Sequence, residues 1–448
     1  MSAKLNWPLN SSSIEHLDCE RHRVSILLLH WQKKQHILAS LRKAEQNIFV
    51  PSGLARGFLK SFPRKRTLST LDTSIAYEAV GLDLAKTDVA LAAFDSDHKE
   101  PYLIDRIPYD KLYELLANMA PTLVAMEPCS GAHQIAEQIQ ELGHEVMMIS
   151  GRHVQAWVKD HCNGQKTDLN DAFAILNLAY DRWLTPIRGK TREECRLLAL
   201  QASYRQLKGQ RTKTMVHVKA TLHAWGFPIR AGSFNQKALH ELIDANREAF
   251  GDEVVETLHL MINRVHDLDH DIATVLKLLT EATQRDPRAS LLRSIPGFGV
   301  LTTSRWCAVV GDIARFDSPK QTMAFIGLVP NNRITGHHTE TSSGREARGQ
   351  GKMSKRGDKM LRSLCILGAG ALCLMVRNDR LPDCPFVASI KERLASPRPW
   401  FKVLVYVAAK LVRIATALLK YGETFSFEKA GISKAVLKQW ELEKAKAA

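Results

Sequence analysis

This chain of 448 residues has no paired-cysteine motif: Cys19, Cys129, Cys162, Cys195, Cys307, Cys365, Cys373 and Cys384 include no CxxC and no zinc-ligand spacing. That excludes zinc ribbons and disulfide scaffolds and fits reduced thiols in a cytoplasmic protein. No leader is legible, because the early apolar run 24–29 is short and lies inside a polar segment behind Arg21 and Arg23. No uninterrupted membrane span stands out. Residues 401–419 are apolar, but Lys402, Lys410 and Arg413 interrupt them, as in a buried core helix. A nucleotide phosphate loop is missing too, since Gln350 stands where the spacing from Gly344 to Gly349 requires a lysine. That counts against a nucleotide-dependent kinase. Acids are in deficit: 47 Asp and Glu face 62 Lys and Arg, a formal charge of +15, which favours a polyanionic partner, nucleic acid first and an anionic membrane second. A hydrophobic share of 45% excludes general disorder and supports two or three domains.

The residues present sharpen from position 76 onward. Residues 1–75 read as an extension, with helical periodicity at 14–48 and a basic, Pro- and Gly-broken linker at 56–65. Then 77–84 (YEAVGLDL) is an apolar strand ending at Asp83, and 89–94 returns as a second strand. A helix is expected at 109–119, a strand at 122–128 (TLVAMEP) ending at Glu127, a helix at 131–142 and a strand at 145–149. Strands alternating with helices predict an α/β domain with a mixed sheet. Asp83 and Glu127 each end a buried strand, where open α/β sheets place their ligands.

Residues 164–172 (GQKTDLNDA) set Asp168 and Asp171 three apart before an apolar run, so a helix carries both carboxylates on one face. Two acids at a helix start also suit the macrodipole without any further role. Taken with Asp83 and Glu127, they make a four-carboxylate oxygen set for Mg²⁺ or Mn²⁺. Two such ions can clamp the attacking and leaving oxygens of a phosphodiester.

The middle reads as helical. Leu197, Leu200, Tyr204 and Leu207 form a stripe with Arg205, Lys208, Arg211 and Lys213 alongside, and 225–228 (WGFP) breaks the helix. Val254, Leu258, Met261, Val265, Leu268, Ile272, Val275 and Leu279 then alternate by four and three, predicting a coiled-coil seam that contributes to dimerisation or closes within the chain. The turn 294–300 (SIPGFGV) offers Gly297 and Gly299 as a backbone grip on phosphate, or an ordinary helix–helix turn. Residues 324–357 carry Ser342, Ser343 and Gly344 among Arg345, Arg348, Lys352, Lys355 and Arg356. Such a loop binds phosphate, and a serine in it can serve as nucleophile while the arginines offset charge on a pentavalent phosphate.

VGLDLAKTDVALAAFD, VAMEPCSG, KTDLNDAFAI, IPGFG, AFIGLVP, SSG and GKMSKRGDKMLRSLCILGA follow one another in an order that resembles the DEDD transposases of bacterial insertion sequences, a group that includes Piv-type DNA invertases. The resemblance spans residues 76–425. It implies a RuvC-like (RNase H-like) α/β domain at 76–185, a helical coiled-coil region at 186–285, a mainly α transposase domain at 286–425 and a tail at 426–448. It implies Asp83, Glu127, Asp168 and Asp171 as the catalytic acids binding Mg²⁺ (or Mn²⁺). Ser343, with Ser342 as the alternative, becomes the nucleophile of a covalent protein–DNA intermediate. DNA is then the substrate, a structured guide RNA and a homo-oligomer are expected, and no membrane is involved. Family members usually begin just before the first acid strand, so 1–75 is extra; with no methionine between Met1 and Met119, a shorter product needs a non-Met start. The leading expectation is a transposase and site-specific recombinase. The alternatives are a Holliday-junction-type nuclease using metal and water only, and a non-catalytic nucleic-acid-binding derivative.

Overall fold

A computed structural model describes residues 65–66, 77–94, 101–181, 183–230, 234–330 and 353–430. The chain divides into two compact units. The first runs to Ile187 without residues 133–136; the second holds those residues and everything from Arg188 onward.

The first unit is a mixed sheet with helices. Strands β1 (Lys65–Arg66), β2 (Ala79–Leu84), β3 (Asp88–Phe94), β4 (Tyr102–Pro108), β5 (Leu123–Met126) and β6 (Glu145–Met148) lie in the order β1-β4-β3-β2-β5-β6. β2, β3 and β4 run antiparallel, whereas β5 and β6 continue parallel from β2. The central position of β2 explains its near-continuous apolar sequence, which is buried from Ala79 to Leu82. Helices α1 (Tyr109–Asn118), α2 (Ala132–Glu141), α3 (Gly151–His161) and α4 (Asp168–Ala179) complete the α/β part.

Two elements depart from the expected pattern. β4 carries Asp105 and Arg106 in its middle, exposed, with Arg106 at φ 55° and a register shift opposite between Val89 and Leu91. A bulged strand of this kind breaks the alternation by which strands are recognised. Lys65 and Arg66, at the end of the expected linker, instead pair in parallel with Leu103 and Ile104 of β4; the rest of the expected extension lies outside the described residues.

Helix α4 is laid on β2 at Gly81. A Cβ on Gly81 would sit 2.5 Å from both the Ala172 carbonyl oxygen and the Leu176 nitrogen. Ala172, Phe173 and Leu176 of α4 share an apolar cluster with Ala79, Ala90 and Ala92, so small residues on the sheet admit the helix backbone.

The second unit is mostly helical. Helices α5 (Arg192–Ala224) and α8 (Asp252–Gln284) are joined through α6 (Gln236–Ala245) and α7 (Arg247–Phe250). Leu197 packs in the cluster of Leu279, Arg211 pairs with Asp269, and Val218 and Leu222 join Val255, Leu258 and Ile262, so the two long helices run antiparallel. The apolar face of α8 therefore closes within the chain. Its fully buried positions include Val255 and Ile262, each one residue beyond the expected Val254 and Met261, which are only half-buried. Between the apolar ends of the pair, Arg211 of α5 meets Asp269 of α8. Helices α9 (Arg288–Arg293), α10 (Val300–Val310), α11 (Pro319–Ile326), α12 (Lys359–Arg377), α13 (Pro385–Ala395) and α14 (Trp400–Tyr421) surround a core centred on Trp306, Leu361, Leu372, Phe386 and Leu411. Among the described residues, α12 alone meets the length and composition of a membrane span. Its Leu361, Cys365, Leu372 and Val376 are buried in that core.

The Gly81 contact yields a stability test. Gly81→Ala should destabilise the first unit by about 3 kcal/mol, because the opposing atoms are helix backbone and cannot rotate away. Gly143→Ala, at φ 92° with nothing near its Cβ position, should cost only about 1 kcal/mol. Urea unfolding followed by tryptophan fluorescence separates the two.

Candidate active site

Three elements bring Asp83 within electrostatic reach of Glu127, Asp168 and Asp171. Asp83 lies at the end of β2, opposite Ala90 of β3. Glu127 is the first residue beyond β5, hydrogen-bonded in parallel to β2. Asp168 and Asp171 occupy the first turn of α4, whose N-cap is Thr167 with its hydroxyl accepting from the Asn170 amide. Buried Asn170 donates to the Gln165 carbonyl at 2.7 Å and shapes the approach to that turn. The helix N-terminus favours both carboxylates, and the Gly81 contact fixes where that N-terminus falls.

Glu127 is accommodated by a second glycine. A Cβ on Gly151, the first residue of α3, would lie 2.7 Å from Glu127 Oε2. Neither Gly151 nor the helix it opens belongs to the elements expected from sequence.

The carboxylates act on one another. Asp83 is pushed up to about 6, first by burial and then by the charges of Asp171, Asp168 and Glu127, against a small opposing effect of Lys166. Burial and Asp171 raise Glu127; burial raises Asp171, with Lys166 pulling the other way and Asp168 adding to the rise. Lys166 Nζ stands 3.9 Å from Asp171 Oδ2, with its own side chain 75% exposed. It is thus a nearby but weakly held cation. Two further groups sense the site: Cys129, raised by burial and by Asp83 and Glu127, and Tyr109, whose hydroxyl donates to the Ala85 carbonyl at 2.7 Å.

As a donor set these groups suit a hard divalent cation. They offer carboxylate oxygens from three elements and are short of positive charge. Among the described residues, however, no three His, Cys, Asp or Glu side chains converge closely enough to hold an ion as they stand. The expected cage is not pre-closed.

Only the base of the serine-bearing segment lies among the described residues. Ser342, Ser343, Arg345, Arg348 and Lys352 lie outside the described residues. Lys355 and Arg356 are exposed, Lys355 with φ 53°. The chain leaves at Pro330 and re-enters at Met353, which pair as a β-bridge, and the Ser354 amide donates to the Val329 carbonyl at 2.8 Å. Gly327 and Gly357, both at positive φ, allow this closeness: added Cβ atoms would overlap the Arg356 and Phe325 carbonyls respectively. Buried Arg362 donates to the Ile326 and Arg356 carbonyls at 3.0 and 3.3 Å. Asp358 caps α12 through the Leu361 amide at 2.6 Å and receives Arg305 at 3.0 and 2.5 Å. Burial alone would raise Asp358, but Arg305 and the backbone donors hold it below the usual carboxylate range.

The turn at 295–299 has a packing role. Gly297 (φ 92°) meets the backbone of Gly368 in α12 so closely that neither admits a Cβ. Gly299 is exposed, has open space at its Cβ position and caps the start of α10.

Two family models match the chain. One, described as a transposase of the DEDD type, covers residues 80–226; the other, described as Transposase IS116/IS110/IS902 family, covers 289–382. The chain is 30% identical to the transposase for insertion sequence element IS1111A of Coxiella burnetii, over 81% of this chain and 94% of that one. A probable family 20 transposase of Pseudomonas aeruginosa is 29% identical, over 76% and 96%. The pilin gene-inverting protein of Moraxella lacunata is 24% identical, over 63% and 74%. With one such relative matched along nearly its whole length, and both family models falling in order along the chain, the protein belongs to the IS116/IS110/IS902 family of transposases.

Proposed function

We propose that this transposase cleaves and rejoins DNA at a site built from Asp83, Glu127, Asp168 and Asp171, with Ser343 as nucleophile. The observation that carries the first part is the mutual electrostatic action of the four carboxylates, centred on Asp83. The sheet order, with an antiparallel β2-β3-β4 and parallel β5 and β6, supports a RuvC-like reading of the first unit. Asp83, Glu127, Asp168 and Asp171 would hold Mg²⁺ or Mn²⁺; such an ion, when bound, offsets their charge and polarises a phosphodiester oxygen. Lys166 is then free to leave Asp171 for a substrate phosphate.

In the serine step, Ser343 Oγ forms a bond to phosphorus as the bond to one deoxyribose oxygen breaks. The hydroxyl proton is lost to a base, and the leaving oxygen takes up a proton. Rejoining reverses the step with a new deoxyribose hydroxyl as attacker and releases the serine. Arg345, Arg348, Lys352, Lys355 and Arg356 would neutralise the phosphate, and Gly297 and Gly299 would add backbone contacts. Anchoring of both ends of residues 331–352 by the 330–353 bridge and by Arg362 supports a fixed origin for this loop. A guide RNA and a homo-oligomer belong to the same proposal.

Trapping of covalent DNA adducts on denaturing gels tests the serine. Adduct should vanish in Ser343→Ala or, failing that, in Ser342→Ala; an adduct surviving in the double variant would falsify serine chemistry. Asp168→Asn should abolish Mg²⁺-dependent cleavage, and retained recombination removes Asp168 from the site.

Asp83 provides a test that needs no DNA. Its folded pKa is raised, so between about 4 and 6 the folded protein holds a proton that the unfolded chain has released, and stability falls as pH rises through that window. Discounted for its half-exposed setting, the penalty above pH 6 is about 1 kcal/mol. In EDTA at pH 7.5, Asp83→Asn should therefore melt about 2–4 °C above the unaltered protein, with the gap closing near pH 4. Mg²⁺ should raise the melting temperature of the unaltered protein far more than that of the variant. Equal Mg²⁺ responses would mean that Asp83 holds no metal.

A further inference from the structure

The two long helices of the second unit carry opposite charge. Helix α5 holds seven Lys and Arg against two acids, Glu193 and Glu194, both in its first turn. Helix α8 holds seven Asp and Glu against Arg264 and Lys277. After Glu194 the next acid is Glu241, and the intervening residues 195–240 contain eight Lys and Arg. Segregation of this kind would be ordinary if it held the hairpin together. It does not: among the described residues, Arg211 with Asp269 is the one ion pair that joins the two helices.

The remaining cations point elsewhere. Arg205, Lys208 and Lys213 are exposed and make no ion pair among the described residues. Arg205 has one weak contact, to the Met360 sulfur at 3.9 Å. Helical geometry places Ala202, Arg205, Gln206, Gly209, Thr212 and Lys213 on the side opposite the buried Val218 and Leu222, with Lys208 at its margin. Ala202 and Gly209 leave the middle of this face low, so a rigid backbone can approach while longer cationic side chains rise on both sides. From Arg205 to Lys213 the face extends about 12 Å at ~1.5 Å per residue, against one phosphate charge per roughly 1.7 Å of duplex.

We propose that this outward face of α5, centred on Arg205, Lys208 and Lys213, binds the sugar–phosphate backbone of duplex DNA. A protein partner fits it poorly. Stable protein interfaces bury an apolar core and are depleted in lysine, whereas Val216 is the one large apolar residue exposed on α5 before its C-cap. The acidic α8 repels the same polyanion, so the hairpin presents one side only. The choice of DNA as the polyanion rests on the function proposed above; the surface itself depends on neither the four carboxylates nor the serine.

The test uses the full chain in EDTA, where no metal-dependent cleavage contributes. Fluorescence anisotropy measures binding to a short duplex of unrelated sequence, as DNA and as RNA, over a salt series. The triple variant Arg205→Gln, Lys208→Gln, Lys213→Gln should bind duplex DNA at least about tenfold more weakly. The slope of log affinity against log salt should shrink by about 2–3, since each phosphate no longer neutralised removes roughly 0.9 from it. The charge-conserving triple variant Arg205→Lys, Lys208→Arg, Lys213→Arg should bind like the unaltered protein, which separates charge from folding. Neutralising Glu256 and Asp267 on α8 should leave binding equal or tighter. Unchanged DNA affinity and slope in the neutral variant overturn the proposal, as does failure of the unaltered protein to bind duplex DNA. Loss confined to the RNA duplex overturns it in favour of RNA. A drop in oligomer mass by mass photometry, with DNA affinity falling only in parallel, overturns it in favour of a second copy of the chain. In a parallel assay with Mg²⁺, absence of cleavage by the unaltered protein, with its DNA binding intact, would instead count against the metal or serine assignments.

Discussion

The candidate site depends on one steric contact, the seating of α4 on β2 at Gly81. Carboxylates at a helix N-terminus and at a strand end meet only if the helix axis comes close to the sheet, and a single methyl group would prevent that. The cost of the arrangement is electrostatic. Burial, and then the charges of Asp171 and Asp168, raise the Asp83 proton affinity, and packing along α4 must hold the acids there against their repulsion. Nine of its twelve residues are buried, so the helix has the apolar contact to do so.

The acids and the alternation of strands with helices were legible because both follow local rules. Apolar runs ending in a carboxylate reported β2 and β5, and two acids three apart before an apolar run reported the start of α4. What stayed hidden was long-range. Gly81 and Gly151 look like any strand or helix-start glycine until the opposing backbone or carboxylate is known. β4 escaped notice because its bulge and its central Asp105–Arg106 pair erase the alternation, and the short β1 because two residues carry no periodicity.

The serine-bearing segment shows the reverse balance. Its hydroxyls and cations are conspicuous in sequence, whereas the parts that fix its origin are not. Gly327 and Gly357 are needed at positive φ because each faces a carbonyl across a narrow gap. Arg362, inside an apolar helix, reads as a lapse in amphipathicity; its guanidinium in fact satisfies two carbonyls at the point where the chain departs. A buried cation is tolerable there because those acceptors replace water. The apolar character that makes α12 long enough for a membrane thus serves a core around an anchoring arginine.

The hairpin of α5 and α8 shows why heptad spacing identifies a buried face but not its partner. The spacing along α8 requires cover, and α5 and α6 supply it from Val255 to Ile262. Midway, α5 sets Arg211 where a coiled coil would place an apolar residue, and Asp269 meets it with two hydrogen bonds. A partly buried ion pair adds little net stability. Register and stability therefore rest on the buried apolar positions along α8. The outward charges of both helices are left out of either task, which is why their separation by sign needs an explanation outside the hairpin itself.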